Sequence, residues 1–303
     1  MFDSWKLTAY AAKPVIEAAL EAQQSDPQWE PDMVLTGFEI APDRPEDWVL
    51  DAYLSRKPTS KDRAAFAALF AGQVPEIATQ KLPDEDWVTA SQQGIEPIEA
   101  GRFYVHTPDH APSDDPALRS FAIPASQAFG TGQHETTAGC LAMLTAMKRR
   151  GVVARRIADI GTGTGLLAFA AMELWPGAQA TASDIDDICL PVVERNMAEN
   201  AIPAGPGPGA LTVLVADGMD HPLLQARAPY DLLIANILAA PLVELAPDFA
   251  DVVPAGGSVV LAGLLETQEA SVRAAYRRAG FRLAGRVING DWSILWLRRR
   301  AAR

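Results

Sequence analysis

The stretch Ile157-Ala158-Asp159-Ile160-Gly161-Thr162-Gly163-Thr164-Gly165-Leu166-Leu167 constrains the fold more than any other. An apolar run leads into three glycines at alternate positions, and a helical stretch follows to about Trp175. Strand, tight turn and helix in that order bring backbone close to a ligand. Glycine lacks a Cβ, and a helix N-terminus carries free N–H groups and partial positive charge. The dinucleotide fingerprint G-x-G-x-x-G would need glycine at position 166, where Leu166 stands. The turn either cradles a different ligand or serves packing alone.

From Arg155 onward, strand and helix patterns alternate, which is the sign of a parallel sheet with helices on both faces. Strands are expected at 156–160, 178–183, 211–215, 230–235, 258–263, 281–287 and 292–297. Helices are expected near 165–175, 187–199, 240–252 and 266–279. Asn289-Gly290 marks a hairpin between the last two strands. The expected fold is therefore α/β, with a doubly wound seven-stranded sheet. That layout, with the G-x-G-x-G turn, resembles the first motif and sheet of S-adenosylmethionine-dependent methyltransferases. In such sheets ligands sit beyond the carboxyl ends of the strands.

Candidate site residues accordingly stand where strands end. Gly161 and Gly163 would approach the cofactor through their backbone. Asp184 ends the second strand, where a carboxylate accepts hydrogen bonds from both hydroxyls of a ribose; either it or Asp186 could instead cap the next helix. Asp217 ends the third strand and either meets an adenine amino group or is an ordinary turn aspartate. Asn236 closes the very apolar run Leu232-Leu233-Ile234-Ala235. An amide there needs partners: its carbonyl can accept from an amine, its NH₂ can donate to the cofactor, or it simply caps the strand. Ile237 and Leu238 would wall the site. Upstream, Ala128-Phe129-Gly130-Thr131-Gly132-Gln133-His134-Glu135-Thr136-Thr137 leads into an apolar helix, with hydroxyls at its start. It lacks the lysine of a phosphate loop.

The first eighty residues read as β-α-β-β-α-β, the order of a small α+β, ferredoxin-like domain. Strands are expected near 5–11, 33–40, 48–54 and 74–82, with helices after Pro14 and after Thr59 or Ser60. Pro83-Asp84-Glu85-Asp86 reads as the boundary, giving domains 1–82 and 83–303. Residues 83–127 are expected to form an extension and linker, with exposed loop from Thr107 to Pro116.

A chain of 303 residues with net charge −12 is large enough for both domains and too acidic overall for a general nucleic-acid binder. That charge is compatible with a basic protein partner. No apolar run approaches the length of a membrane span, and no signal peptide is evident. Cys140 and Cys189 form no C-x-x-C pair, and His106, His110, His134 and His221 show no ligand spacing, so no metal is expected and a cytoplasmic setting fits.

The Ala128-to-Thr137 stretch, Asp159-Ile160-Gly161-x-Gly163-x-Gly165, Asp184-Ile185-Asp186 and Ala235-Asn236-Ile237-Leu238 together are similar to the bacterial ribosomal protein L11 methyltransferase (PrmA) family. The similarity continues through Glu244-Leu245-Ala246-Pro247, Gly256-Gly257 and Ala279-Gly280-Phe281, whereas the first eighty residues match only in layout. Gln133 and Glu135 depart from the family's usual threonine and proline. The resemblance implies an S-adenosylmethionine-dependent protein methyltransferase acting on lysine side-chain and N-terminal amines of ribosomal protein L11. The small domain would hold that substrate, with no membrane and no direct nucleic-acid contact. The cofactor contacts it implies fall on Thr137, Gly161, Asp184 and Asn236, and Asn236 would also position the amine. His134 would serve as a base or in loop packing. Two alternatives are the same chemistry on another protein lysine and a non-catalytic, cofactor-binding adaptor.

Overall fold

Strands covered by helices on both faces need continuous apolar runs, and Leu232–Asn236 and Ser258–Leu265 supply them. The computed structural model describes residues 5–24, 33–40, 46–70, 72, 74–81, 96–124 and 133–300. The chain divides into one unit up to residue 90 and another from residue 91, so the change of unit lies outside the described residues. The Ala128–Gly132 stretch and the side chains of Gln133 and His134 lie outside them too.

In the first unit, β1 (Trp5–Ala12), α1 (Lys13–Gln24), β2 (Met33–Glu39), β3 (Asp47–Leu54), α2 (Ser60–Ala68) and β4 (Ile77–Lys81) build one antiparallel sheet of order β2-β3-β1-β4. Alternate residues divide its faces. Leu7, Ala9, Leu50 and Ala52 pack with Ile16 and Phe66 of the helices. The opposite face centres on buried Asp51, which accepts from Thr8 (2.6 Å), Lys6 (2.9 Å) and Tyr53 (3.3 Å). Burial, then the Asp51 charge, pushes the Tyr53 hydroxyl up to about 12. A capping box starts α2: Thr59 accepts from Asp62 N, and the Asp62 carboxylate accepts from Thr59 N and from Arg56.

The second unit opens with β5 (Ile98–Ala100), β6 (Phe103–His106) and β7 (Arg119–Ala122), a three-stranded sheet where the sequence suggested mostly linker. Strands of three or four residues leave too little periodicity to read. Asn200 holds the edge: its amide donates to Ala122 O and accepts from Ala122 N, both at 2.8 Å. After α3 (Gln133–Arg149) come β8 (Arg156–Ile160), α4 (Leu166–Leu174), β9 (Gln179–Asp184), α5 (Cys189–Glu199), β10 (Leu211–Val215), α6 (Pro222–Arg227) and β11 (Leu232–Asn236). The chain continues through α7 (Ala239–Glu244), α8 (Ala246–Val252), β12 (Ser258–Leu265), α9 (Glu269–Arg278), β13 (Phe281–Asn289) and β14 (Trp292–Arg299). Pro247 splits the single helix expected at 240–252 into α7 and α8, because proline suits only a first turn. The short α6 had no visible periodicity.

The seven strands order as β10-β9-β8-β11-β12-β14-β13, parallel from β10 to β12, with the antiparallel hairpin at one edge. One apolar core carries α3, α4, α5 and the small sheet, with Phe103, Phe121 and Phe169 at its centre. The other carries α6 to α9, around Tyr230, Phe249 and Tyr276. No helix among the described residues is long and apolar enough to cross a membrane.

Candidate functional site

The strand order reverses between β8 and β11, and both strands end at the same edge of the sheet. β8 gives way to a turn in which Gly161 (φ +70°), Gly163 (φ +55°) and Gly165 (φ +85°) all lie in the left-handed region. Gly161 N and Thr162 N both donate to Ser183 O, at 2.8 and 2.9 Å, fastening the turn to β9. A Cβ on Gly161 would lie 2.2 Å from Ile237 Cγ2, so glycine is required for Ile237 to close over the turn.

Asp159 organises this turn from inside the sheet. Its Oδ2 accepts from Thr162 Oγ1 at 2.6 Å and from Ala168 N at 3.1 Å, in the first turn of α4. The residue is 1% exposed, and burial pushes its carboxyl up to about 6 even though both bonds favour the charged form. Asn196 adds a buried bond to Thr164 O at 2.9 Å. The turn is thus held from beneath by Asp159, Asn196 and Ser183 O, and its outer side remains for a ligand.

Asp184 ends β9, half-buried. Its Oδ2 accepts from Gly163 N at 2.8 Å and its Oδ1 from Asp186 N at 3.2 Å. The Asp186 carboxylate accepts from Ile188 N at 3.0 Å, so the turn into α5 uses Asp186 and leaves lone pairs of Asp184 for other donors. Beside it, burial and the Asp184 charge push the Cys189 thiol up to about 11, which makes it a poor nucleophile.

Asn236 ends β11, half-buried, and its Nδ2 donates to Thr136 Oγ1 over a long 3.4 Å. That bond ties the first turn of α3 to the sheet edge, and Thr136 and Thr137 are both buried there. Ile237 and the 71% exposed Leu238 follow. The backbone of Ile237 passes directly over Gly263 (φ +82°), where a Cβ would meet Ile237 O at 2.3 Å. Gly263 sits at a register shift between β12 and β14, a bulge that makes room for the end of β11.

Asp217 is exposed in a turn held by Asp220 N to Asp217 O (2.9 Å), one residue beyond Ala216, whose N–H donates to Asp184 O. It joins the edge of the group through that backbone link. Gly161, Gly163, Asp184, Asn236 and Thr136–Thr137 share one end of the sheet. Sequence reasoning passed over Asp159 and Gly263 as working parts. The signals were present: Asp159 is the one carboxylate in β8, set between apolar residues, and Gly263 interrupts an apolar strand.

The donor set suits S-adenosylmethionine. A cradle that a Cβ would fill, an α4 N-terminus that opens behind Gly165, and a part-exposed carboxylate at a strand end match a nucleoside carrying free hydroxyls. The family model for Ribosomal protein L11 methyltransferase (PrmA) matches residues 5–300. A ribosomal protein L11 methyltransferase of Agrobacterium fabrum is 35% identical over 277 residues, covering 91% of this chain and 92% of the relative. One from Rhizobium rhizogenes is 38% identical over 258 residues, covering 83% and 85%. The crystal structure of a ribosomal protein L11 methylase from Lactobacillus delbrueckii subsp. bulgaricus aligns with TM-score 0.55 and 27% identity, over 68% of this chain and 100% of that one. Sequence similarity along nearly the whole chain, over a strand-end site of this construction, places the chain in the ribosomal protein L11 methyltransferase (PrmA) family.

Proposed function

We propose that this protein transfers methyl groups from S-adenosylmethionine to lysine side-chain and N-terminal amines of ribosomal protein L11. The observation that carries the proposal is the convergence of the glycine turn, Asp184 and Asn236 at one sheet end in a chain that matches this family from residue 5 to residue 300. When bound, the cofactor supplies an electrophilic sulfonium methyl, so the protein's task is alignment. Gly161 and Gly163 bring backbone against the ligand, Thr137 backs it from α3, and Asp184 accepts from its ribose hydroxyls. Asp217 stands at the adenine side.

The acceptor amine must be neutral. A free lysine has a pKa of about 10.4, so holding it neutral at about pH 7 costs about 4–5 kcal/mol, at about 1.4 kcal/mol per unit. Ile237 and Leu238 desolvate the amine and lower that cost. The Asn236 carbonyl orients the lone pair toward the methyl group. No residue of the site has to be a strong base, since the proton can leave to water. The exposed carboxylates Asp186, Asp187, Asp217 and Asp291 stand at this end and attract a lysine-rich partner. The unit formed by residues 5–81 is its recognition module, and the two free thiols suit a reducing cytoplasm.

The test is methyl transfer from labelled S-adenosylmethionine into purified ribosomal proteins, read by intact mass. Mass increments on L11 are expected. Labelling of another protein would keep the chemistry and discard the substrate, and cofactor binding with no labelling at all would sink the enzymatic reading.

A further inference from the structure

The net charge of −12 is unevenly spread: residues 1–90 carry −8 of it and residues 91–303 only −4, and within the second unit the cations gather at one end. Parallel strands all start at the end away from the site, and the helices between them finish there. Lys148 and Arg149 close α3 and Arg150 follows them, while Arg277 and Arg278 close α9. Arg155 and Arg156 open β8, and Arg282 stands at the start of β13. The register Ser258↔Arg298 and Phe281↔Arg299 brings the end of β14, with Arg300, to the same edge. Eleven of the chain's 26 lysines and arginines therefore gather at the amino ends of the strands.

Their pairing sets them apart. Elsewhere Lys6, Arg56, Arg119, Arg273 and Arg286 each have a carboxylate partner. Among the described residues, none of the eleven forms an ion pair. Several are fixed through backbone carbonyls instead: Arg298 to Gly256 O at 2.9 Å, Arg282 to Phe281 O at 2.7 Å and Arg156 to Ala228 O at 3.2 Å. Those bonds immobilise the guanidinium groups without neutralising them. Helix dipoles account for the cations ending α3 and α9. They do not account for those at the ends of β8, β13 and β14, since strands carry little net dipole. A cleft of about 570 Å³ opens within this face, between the starts of β8 and β9, lined by Arg155, Arg156, Trp175 and Gln179.

From these observations we infer that the amino-end face of the sheet docks on RNA through its phosphate backbone. Fixed, uncompensated guanidinium groups around a concave surface suit a chain of phosphates. A lipid surface would call for inserted apolar side chains, and among the described residues only Val153 and Leu283 are exposed large hydrophobic residues at this end. The face lies opposite the cofactor edge, so RNA and a methyl acceptor can be held together. The inference stands whether or not L11 is the substrate.

The experiment is fluorescence anisotropy of a labelled, unstructured uridine-rich 24-nucleotide RNA with the full-length protein, from about 50 to 300 mM salt. The comparison variant carries Arg149→Glu, Arg155→Glu and Arg278→Glu, three exposed residues spread across the face. Single strands contribute about 0.7 to the log–log salt slope per phosphate. The variant is expected to bind at least about tenfold more weakly, with a slope shallower by about 2, and to methylate free protein substrate at the parent rate. The neutral set Arg149→Gln, Arg155→Gln and Arg278→Gln should weaken binding in the same direction by less, which controls for misfolding. Absence of RNA binding at the lowest salt overturns the inference, and so does binding that all three reversals leave unchanged. Capture by vesicles containing phosphatidylserine, with none by RNA, overturns it in favour of a membrane.

Discussion

Gly263→Ala probes whether close backbone approach shapes the acceptor wall. Two costs add at this position. An alanine at φ +82° carries left-handed strain of about 1–2 kcal/mol. Its Cβ would also lie 2.3, 2.7 and 2.9 Å from the O, C and N of Ile237, backbone atoms that cannot swing aside as a side chain does. Overpacking of that kind costs about 1–3 kcal/mol. Gly151 is the matched control: φ is +77°, and nothing lies within 4 Å of the place an added methyl group would take. Gly151→Ala should therefore lose about 1–2 kcal/mol and Gly263→Ala about 2–5 kcal/mol. At about 2–4 °C per kcal/mol for a unit of this size, midpoints should fall by about 4 °C and about 10 °C in scanning calorimetry. Methyl transfer should drop in Gly263→Ala, because Ile237 and Leu238 shift with their backbone, and should hold in Gly151→Ala. Equal losses of stability in the two variants would refute the reasoning.

Three further outcomes are expected. Asp159→Asn keeps an acceptor for Thr162 and Ala168 and removes the buried charge. The folded carboxyl titrates near 6, above its ordinary value, so its stabilising contribution is full below about pH 4 and lost as pH rises through 6. Urea denaturation should show the asparagine variant gaining about 3 kcal/mol on the parent between about pH 4 and pH 7, and a pH-independent gap would sink the argument. Asp184→Asn should cost only about 1 kcal/mol of stability, since the amide oxygen keeps the Gly163 bond and only the longer bond from Asp186 N is lost, while titration calorimetry records about 10- to 100-fold weaker S-adenosylmethionine binding, the loss of charge-assisted bonds to two hydroxyls. Asn236→Ala should lower kcat at saturating cofactor by tenfold or more; full turnover would remove Asn236 from the positioning role.

The seven-strand sheet was legible because its inner strands β8, β9, β11 and β12 are buried on both faces, so apolar runs and glycine punctuation marked them. β11 begins at Leu232 and β12 runs on to Leu265, small shifts from the expected bounds. The small sheet β5–β7 was largely invisible, since Ile98–Ala100 is too short to show alternation and its pairing with β6 is tertiary information. In the site, Asp184 and Asn236 were readable as polar residues ending apolar strands. Asp186 was readable as the better cap for the next helix, and the bond from Ile188 N to its carboxylate agrees with that. Thr136 and Thr137 were equal candidates in sequence; which hydroxyl meets Asn236 depends on how α3 lies over β11. The segregation of charge was hidden because residues as far apart in sequence as Arg149 and Arg298 come to one end of the sheet only after the strands are ordered.

The Asn200 amide next to β7 bears on solubility. A sheet edge exposes unpaired N–H and C=O groups that another chain can add to, and β7 is such an edge. By donating to Ala122 O and accepting from Ala122 N, Asn200 occupies the place of a foreign strand. Arg119 donates to Asn200 O at 3.1 Å and fixes the residue that does so. One side chain at the end of α5 thus acts as a plug against edge-to-edge aggregation, at a point where a strand of four residues leaves little room for any other protection.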